Sequence, residues 1–84
     1  MSNRVAQLYE FDDVYILGNY AMINEPIEDD EGFYKNDYQW GTLNLHDDSI
    51  TIWAPVPNTS SYTSWENAIK SFKEVILKVK PEGE

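Results

Sequence analysis

From Trp65 onward the chain carries a helical repeat: Trp65, Ala68, Ile69, Phe72, Ile76 and Val79 recur at three- and four-residue spacing and line one face of a helix. Lys70, Lys73, Glu74 and Lys78 fall mostly off that stripe. Thr63-Ser64-Trp65-Glu66 fits a capping box, with the threonine hydroxyl accepting from the amide of the third helical residue and the glutamate reaching back to the cap amide. Pro81 and Gly83 stop the helix, and Lys78 and Lys80 suit its C-terminal end, so the predicted span is about residues 64–80. An apolar stripe of this kind must be covered, and what precedes it reads as strand.

Residues 4–11 and 14–23 are rich in Val, Ile, Leu and Tyr, and Asp12-Asp13 between them is expected to form a tight turn and hence a hairpin. Asn24 to Gly32 holds a proline, a glycine and five acids, which predicts an exposed loop. Aromatic and aliphatic residues return over 33–45. His46-Asp47-Asp48-Ser49 then turns the chain into a strand over 49–54, giving a second hairpin that Pro55 and Pro57 end. The simplest architecture that buries every apolar stretch is α+β: a four-stranded antiparallel sheet of two hairpins, with one C-terminal amphipathic helix packed on it.

A chain of 84 residues supports one core, so a single domain over 1–84 is expected. No cysteine is present, which removes disulfides and thiolate metal sites and leaves burial to stabilise the fold. The 42% hydrophobic and 14% aromatic content is well above that of disordered acidic chains. The Met1-Ser2-Asn3-Arg4-Val5 start lacks the layout of a secretion signal, and no apolar run is long enough to span a bilayer. A soluble, cytoplasmic protein is expected.

Charge is concentrated in one half. Glu10, Asp12, Asp13, Glu25, Glu28, Asp29, Asp30, Glu31, Asp37, Asp47 and Asp48 stand against Lys35 alone, whereas the acids after Ser64 are matched by lysines; the whole chain has a net charge of −9. Such crowding repels itself and weakens a small compact state, which is tolerable if the field has a use. The plainer reading is that acidity keeps the protein soluble and monomeric.

Residues for catalysis are scarce. The single histidine, His46, falls in a turn, and Thr59 to Ser64 reads as loop and helix cap, with no base placed to activate a hydroxyl. Paired acids such as Asp12-Asp13, Asp29-Asp30 and Asp47-Asp48 sit in turns, where pKa tuning by burial is hard to arrange. The four glycines form no phosphate-cradling loop. Glu25 to Gly32 lacks the ligand order of a calcium loop. We therefore expect no enzyme, no cofactor and no metal site.

Binding remains. So negative a field opposes direct contact with nucleic acid or an anionic membrane and favours a basic partner, in the first place a nucleic-acid-binding protein whose Lys and Arg side chains would take carboxylates in place of phosphates. In size, acidity and lack of cysteine the chain resembles the small DNA-mimic inhibitors that phages and plasmids direct against host nucleases, glycosylases, restriction and CRISPR complexes, or histone-like proteins such as HU. That resemblance implies a non-catalytic inhibitor acting in a host cytoplasm as a monomer or small homo-oligomer. The residues expected to bind are Glu28, Asp29, Asp30 and Glu31 first, then Asp12, Asp13, Asp47, Asp48, Glu25 and Asp37, with Tyr34, Tyr38 or Trp40 as an aromatic anchor inside an acidic rim. An immunity protein that neutralises a basic nuclease toxin would use a similar face. A phage accessory or structural protein, or a sugar-binding module stacking on Trp40 and Trp53, are the readings from other classes.

Overall fold

The computed structural model describes residues 4–79. It is α+β, with a C-terminal helix packed on an antiparallel sheet, but that sheet has five strands where the sequence reading expects four. The elements in chain order are β1 (Arg4–Gln7), a short 3-10 turn (Leu8–Glu10), β2 (Asp13–Leu17), β3 (Tyr20–Asn24), β4 (Ile27–Glu28), β5 (Tyr34–Lys35), β6 (Tyr38–Asn44), β7 (Ser49–Pro55) and α1 (Trp65–Val79). The main sheet runs β1-β7-β6-β3-β2, and β4 with β5 forms a separate two-stranded ribbon.

The expected hairpin at Asp12-Asp13 does not exist. β1 pairs with β7 and β2 with β3, so β1 and β2 lie at opposite edges of the sheet. The 3-10 turn and Phe11 connect them, with the Leu8 amide donating to the Asp48 carbonyl, and Leu8 and Phe11 pack on the core of Ala6, Ala21, Ile23, Ile50 and Ile52. A local turn would have left that apolar face uncovered, so burial decides against it.

The expected strand over 14–23 is itself a hairpin. Leu17 opposes Tyr20 across Gly18-Asn19, and Gly18 takes the positive φ of 64° that a two-residue turn requires. β3 then lies between β2 and β6 and is buried from Ala21 to Asn24. Burial on both faces accounts for its unbroken apolar run, because neither face of the pleat meets water. Met22 faces the helix with Tyr38, Val56, Ala68, Phe72 and Ile76, while Ala21 and Ile23 face the other way.

β6 and β7 pair with an irregularity at Trp40 and Gly41. A side chain at Gly41 would overlap the Thr51 carbonyl, so the approach of the two backbones there admits only glycine. Pro55 is the last residue of β7 rather than its terminator. Among the described residues β1 pairs with β7 only as far as Ile52, so no described strand lies beside Pro55 on that edge.

The helix begins one residue later than the capping pattern suggests. Ser64, not Thr63, caps it, its Oγ accepting from the Asn67 amide at 3.2 Å, whereas the Thr63 hydroxyl accepts from the Ser60 amide at 2.7 Å. Ala68, Phe72 and Ile76 are buried as the periodicity predicts, and Trp65 and Ile69 pack at their margin. The side chain of Val79 lies outside the described residues, as do the helix stop at Pro81 and Gly83 and the lysine at position 80.

Two substitutions test this packing in urea unfolding. Phe72→Ala, which removes a fully buried ring, should cost about 3–5 kcal/mol. Gly41→Ala should cost about 1–3 kcal/mol by overpacking the β6–β7 contact.

Candidate functional site

Sheet register brings acids from separate parts of the chain to one end of the molecule. Asp13 opposes Asn24, and Asn24 opposes Tyr38, so Asp12, Asp13, Glu25 and Asp37 all border the same row. Glu10 reaches it as well, lining with Asp12, Glu25 and Phe11 a shallow cleft of about 220 Å³. The 25–37 connection between β3 and β6 leaves from this row, and it carries Glu28, Asp29, Asp30 and Glu31.

Asn24 organises the row. It is 7% exposed; its Oδ1 accepts from the Asp37 amide at 3.0 Å and its Nδ2 donates to Asn36 Oδ1 at 3.1 Å. The Glu25 amide donates to the Asp37 carbonyl. Two donors ease the repulsion between these neighbouring acids. Gln39 Nε2 donates to Asp37 Oδ2 at 2.9 Å and to Glu25 Oε1 at 3.3 Å, and Arg4 pairs with Glu25 at 2.7 Å. Glu25 and Asp37 are thereby engaged within the fold. Among the described residues Asp12, Asp13, Glu28, Asp30 and Glu31 form no ion pair and are exposed.

The segment expected to be an open loop is in part the ribbon. Ile27 opposes Lys35 and Glu28 opposes Tyr34. Asp29 holds the turn between them: its Oδ1 accepts from the Glu31 amide at 2.9 Å and the Phe33 amide at 3.0 Å, its own amide donates to the Phe33 carbonyl, and Lys35 lies 3.9 Å from its Oδ2. The Phe33 amide is the largest influence holding the Asp29 carboxyl below its ordinary value of 3.8; burial opposes it, and the Glu31 amide and Lys35 add to it. Asp29 shapes the ribbon from within, while its three acidic neighbours face solvent.

The ribbon also exposes apolar surface. Ile27 is 56%, Phe33 67% and Tyr34 70% exposed, and Tyr62, 81% exposed, lies under the Lys35 ammonium at 6.0 Å. Tyr34 stands where the anchor reading wants it, opposite Glu28 in the acidic ribbon. Trp40 does not. It is half-buried on the helix side of the sheet against Tyr20, and it lines a groove with Pro55, Pro57, Val75 and Lys78. Tyr38, the third aromatic near this segment, is in the core, where burial first and the charge of Asp13 second raise its phenol above the ordinary range. Sequence reasoning missed Ile27, Phe33 and Tyr62. The signal present was apolar residues inside an otherwise polar, turn-rich stretch, where no core face requires them.

Asp47 and Asp48 belong to the opposite end, in the β6–β7 turn. Asp47 accepts from the buried Ser49 hydroxyl at 2.6 Å, and Asp48 holds a positive φ of 55°; both serve the turn. His46 is exposed beside them. Hydroxyls of the Thr59–Ser64 loop bond to backbone: Thr59 donates to the Val56 carbonyl, Ser60 and Thr63 accept from the Tyr62 and Ser60 amides, and Ser64 caps the helix. Among the described residues no group of three or more acids or histidines is placed to hold a metal ion. None of their helices is long and apolar enough to cross a membrane.

A carboxyl whose pKa is lowered by folding stabilises the structure above its ordinary titration range, and that contribution is lost as pH falls through the lowered value. In an NMR pH titration the Glu31 and Phe33 amide resonances should therefore shift together with a midpoint below 3.8, the ordinary value for Asp29. A shared midpoint at or above that value would remove Asp29 from its place in the turn. Comparison with known proteins finds no matching family model, no matching curated protein and no matching solved structure.

Proposed function

We propose that this protein is a non-catalytic acidic inhibitor whose ribbon end occupies the basic surface of a nucleic-acid-binding protein, its carboxylates taking the positions of phosphates. The observation that carries this reading is that exposed acids forming no ion pair among the described residues, Asp12 and Asp13 in one segment and Glu28, Asp30 and Glu31 in another, border one end of the sheet or stand in the connection that leaves it there. Crowding them there raises the local negative field, which speeds encounter with a basic surface and favours Lys and Arg contacts over other partners. Arg4, Gln39 and the backbone amides around Asp29 offset the repulsion where the fold must bear it.

A single-target immunity protein against a basic nuclease is the second reading, and the exposed Ile27, Phe33 and Tyr34 favour it. Apolar anchors inside a polar rim concentrate binding energy on one matched pocket, whereas pure phosphate mimicry has no use for them. The two readings share a surface and differ in how many partners it takes.

The combined variant Glu28→Gln, Asp30→Asn, Glu31→Gln should keep the wild-type urea midpoint yet lose more than about tenfold in affinity for a basic partner captured from bacterial lysate at low salt. Asp47→Asn with Asp48→Asn, at the far end, should leave that affinity within about twofold. Displacement of the partner by duplex or single-stranded DNA and by salt supports the mimic; capture that ignores both rejects it. Binding to one nuclease only, among several basic proteins, selects the immunity reading.

A further inference from the structure

The exposed rings are the feature that charge mimicry does not explain. Phe33, Tyr34 and Tyr62 are each at least 67% exposed although the core has places for aromatic rings, and they stand within or beside the ribbon rather than over the sheet. Tyr34 is directly across from Glu28, and Phe33 follows the turn that holds Asp30 and Glu31, so two rings stand across the turn from a run of carboxylates within a short stretch of backbone. The ribbon is only two strands wide. Its cross-strand pairs, Ile27 with Lys35 and Glu28 with Tyr34, project to opposite faces, and the exposed Ile27 and Tyr34 leave apolar surface open on both.

We infer that the partner surface is a cleft that binds single-stranded nucleic acid, with Phe33 and Tyr34 entering where unstacked bases lie and Glu28, Asp30 and Glu31 taking the backbone phosphate positions. This rests on the proposed acidic mimicry and narrows its target class. Duplex-binding surfaces meet paired bases as edges within grooves and draw most of their non-specific affinity from phosphates alone. Single-strand clefts combine a basic track with aromatic side chains that accept any flat ring, so a narrow ribbon bearing rings and carboxylates matches both of their requirements. A duplex mimic would need neither rings nor a protruding ribbon.

The test captures partners from bacterial lysate on the immobilised protein and elutes with an oligo(dT) strand or with a duplex of equal length, about thirty nucleotides. The two are compared at equal phosphate concentration. Phe33→Ala with Tyr34→Ala is run beside wild type, with circular dichroism and the urea midpoint confirming that this surface variant folds. The expected result is elution by the single strand at a concentration about tenfold or more below that of the duplex, together with loss of capture by the ring variant. Elution by duplex at equal or lower concentration, or full capture by the folded ring variant, overturns the single-strand inference and leaves the acidic mimic intact. Capture indifferent to both nucleic acids, or no capture at all, removes both.

Discussion

Everything in this fold hangs on a strand that has no solvent face. β3 is held between β2 and β6 and is buried on both sides, by Met22 toward the helix and by Ala21 and Ile23 toward the connection that crosses the far face. Helix α1 and the Leu8–Phe11 segment need β3 to lie at a fixed place in the sheet, because each covers one of its faces. A one-residue slip would exchange Met22 with its neighbours and turn both cores inside out, so register is strongly specified here. That same register aligns Asp13, Asn24 and Tyr38 and so sets which acids share an end of the molecule.

Stability and charge are reconciled locally. A small protein with a net charge of −9 has to disperse its acids or supply donors beside them. At the base of the ribbon donors are supplied: the Gln39 amide, the Arg4 guanidinium and main-chain N–H groups meet the carboxylate oxygens of Glu25, Asp37 and Asp29, while Asn24 Oδ1 accepts from the Asp37 amide. Acids that bear on folding are thereby satisfied, and Asp12, Asp13, Glu28, Asp30 and Glu31 face solvent. The distinction separates residues whose loss would loosen the ribbon, such as Asp29, from those whose loss would alter only its field, such as Asp30 and Glu31.

The helix, its buried face, the β6–β7 hairpin and the α+β class were legible in the sequence because each depends on neighbours in the chain: a three-to-four repeat, alternating residues, a turn between two apolar runs. Gly18-Asn19 was a legible turn as well, hidden within an apolar run that looks continuous only because β3 is buried on both faces. The pairing of β1 with β7 left no local trace. Arg4–Gln7 meets Ser49–Ile52 across more than forty intervening residues, and the choice between that partner and the nearby β2 is decided by which apolar face would otherwise meet water.

The candidate site divides along the same line. Its acidity follows from composition and local turn chemistry, so the sequence by itself determined that the stretch from Glu25 to Gly32 is negative and mostly exposed. Only the tertiary structure decided which acids lie at the same end of the molecule. Asp12 and Asp13 join the ribbon end because β2 sits beside β3; Asp47 and Asp48 lie apart because the β6–β7 turn is at the other end of the same strands; and Trp40 turns toward the helix because it pairs with Met22, which faces that way. Strand direction and side-chain alternation are properties of the paired sheet, and a sequence read along one dimension does not contain them.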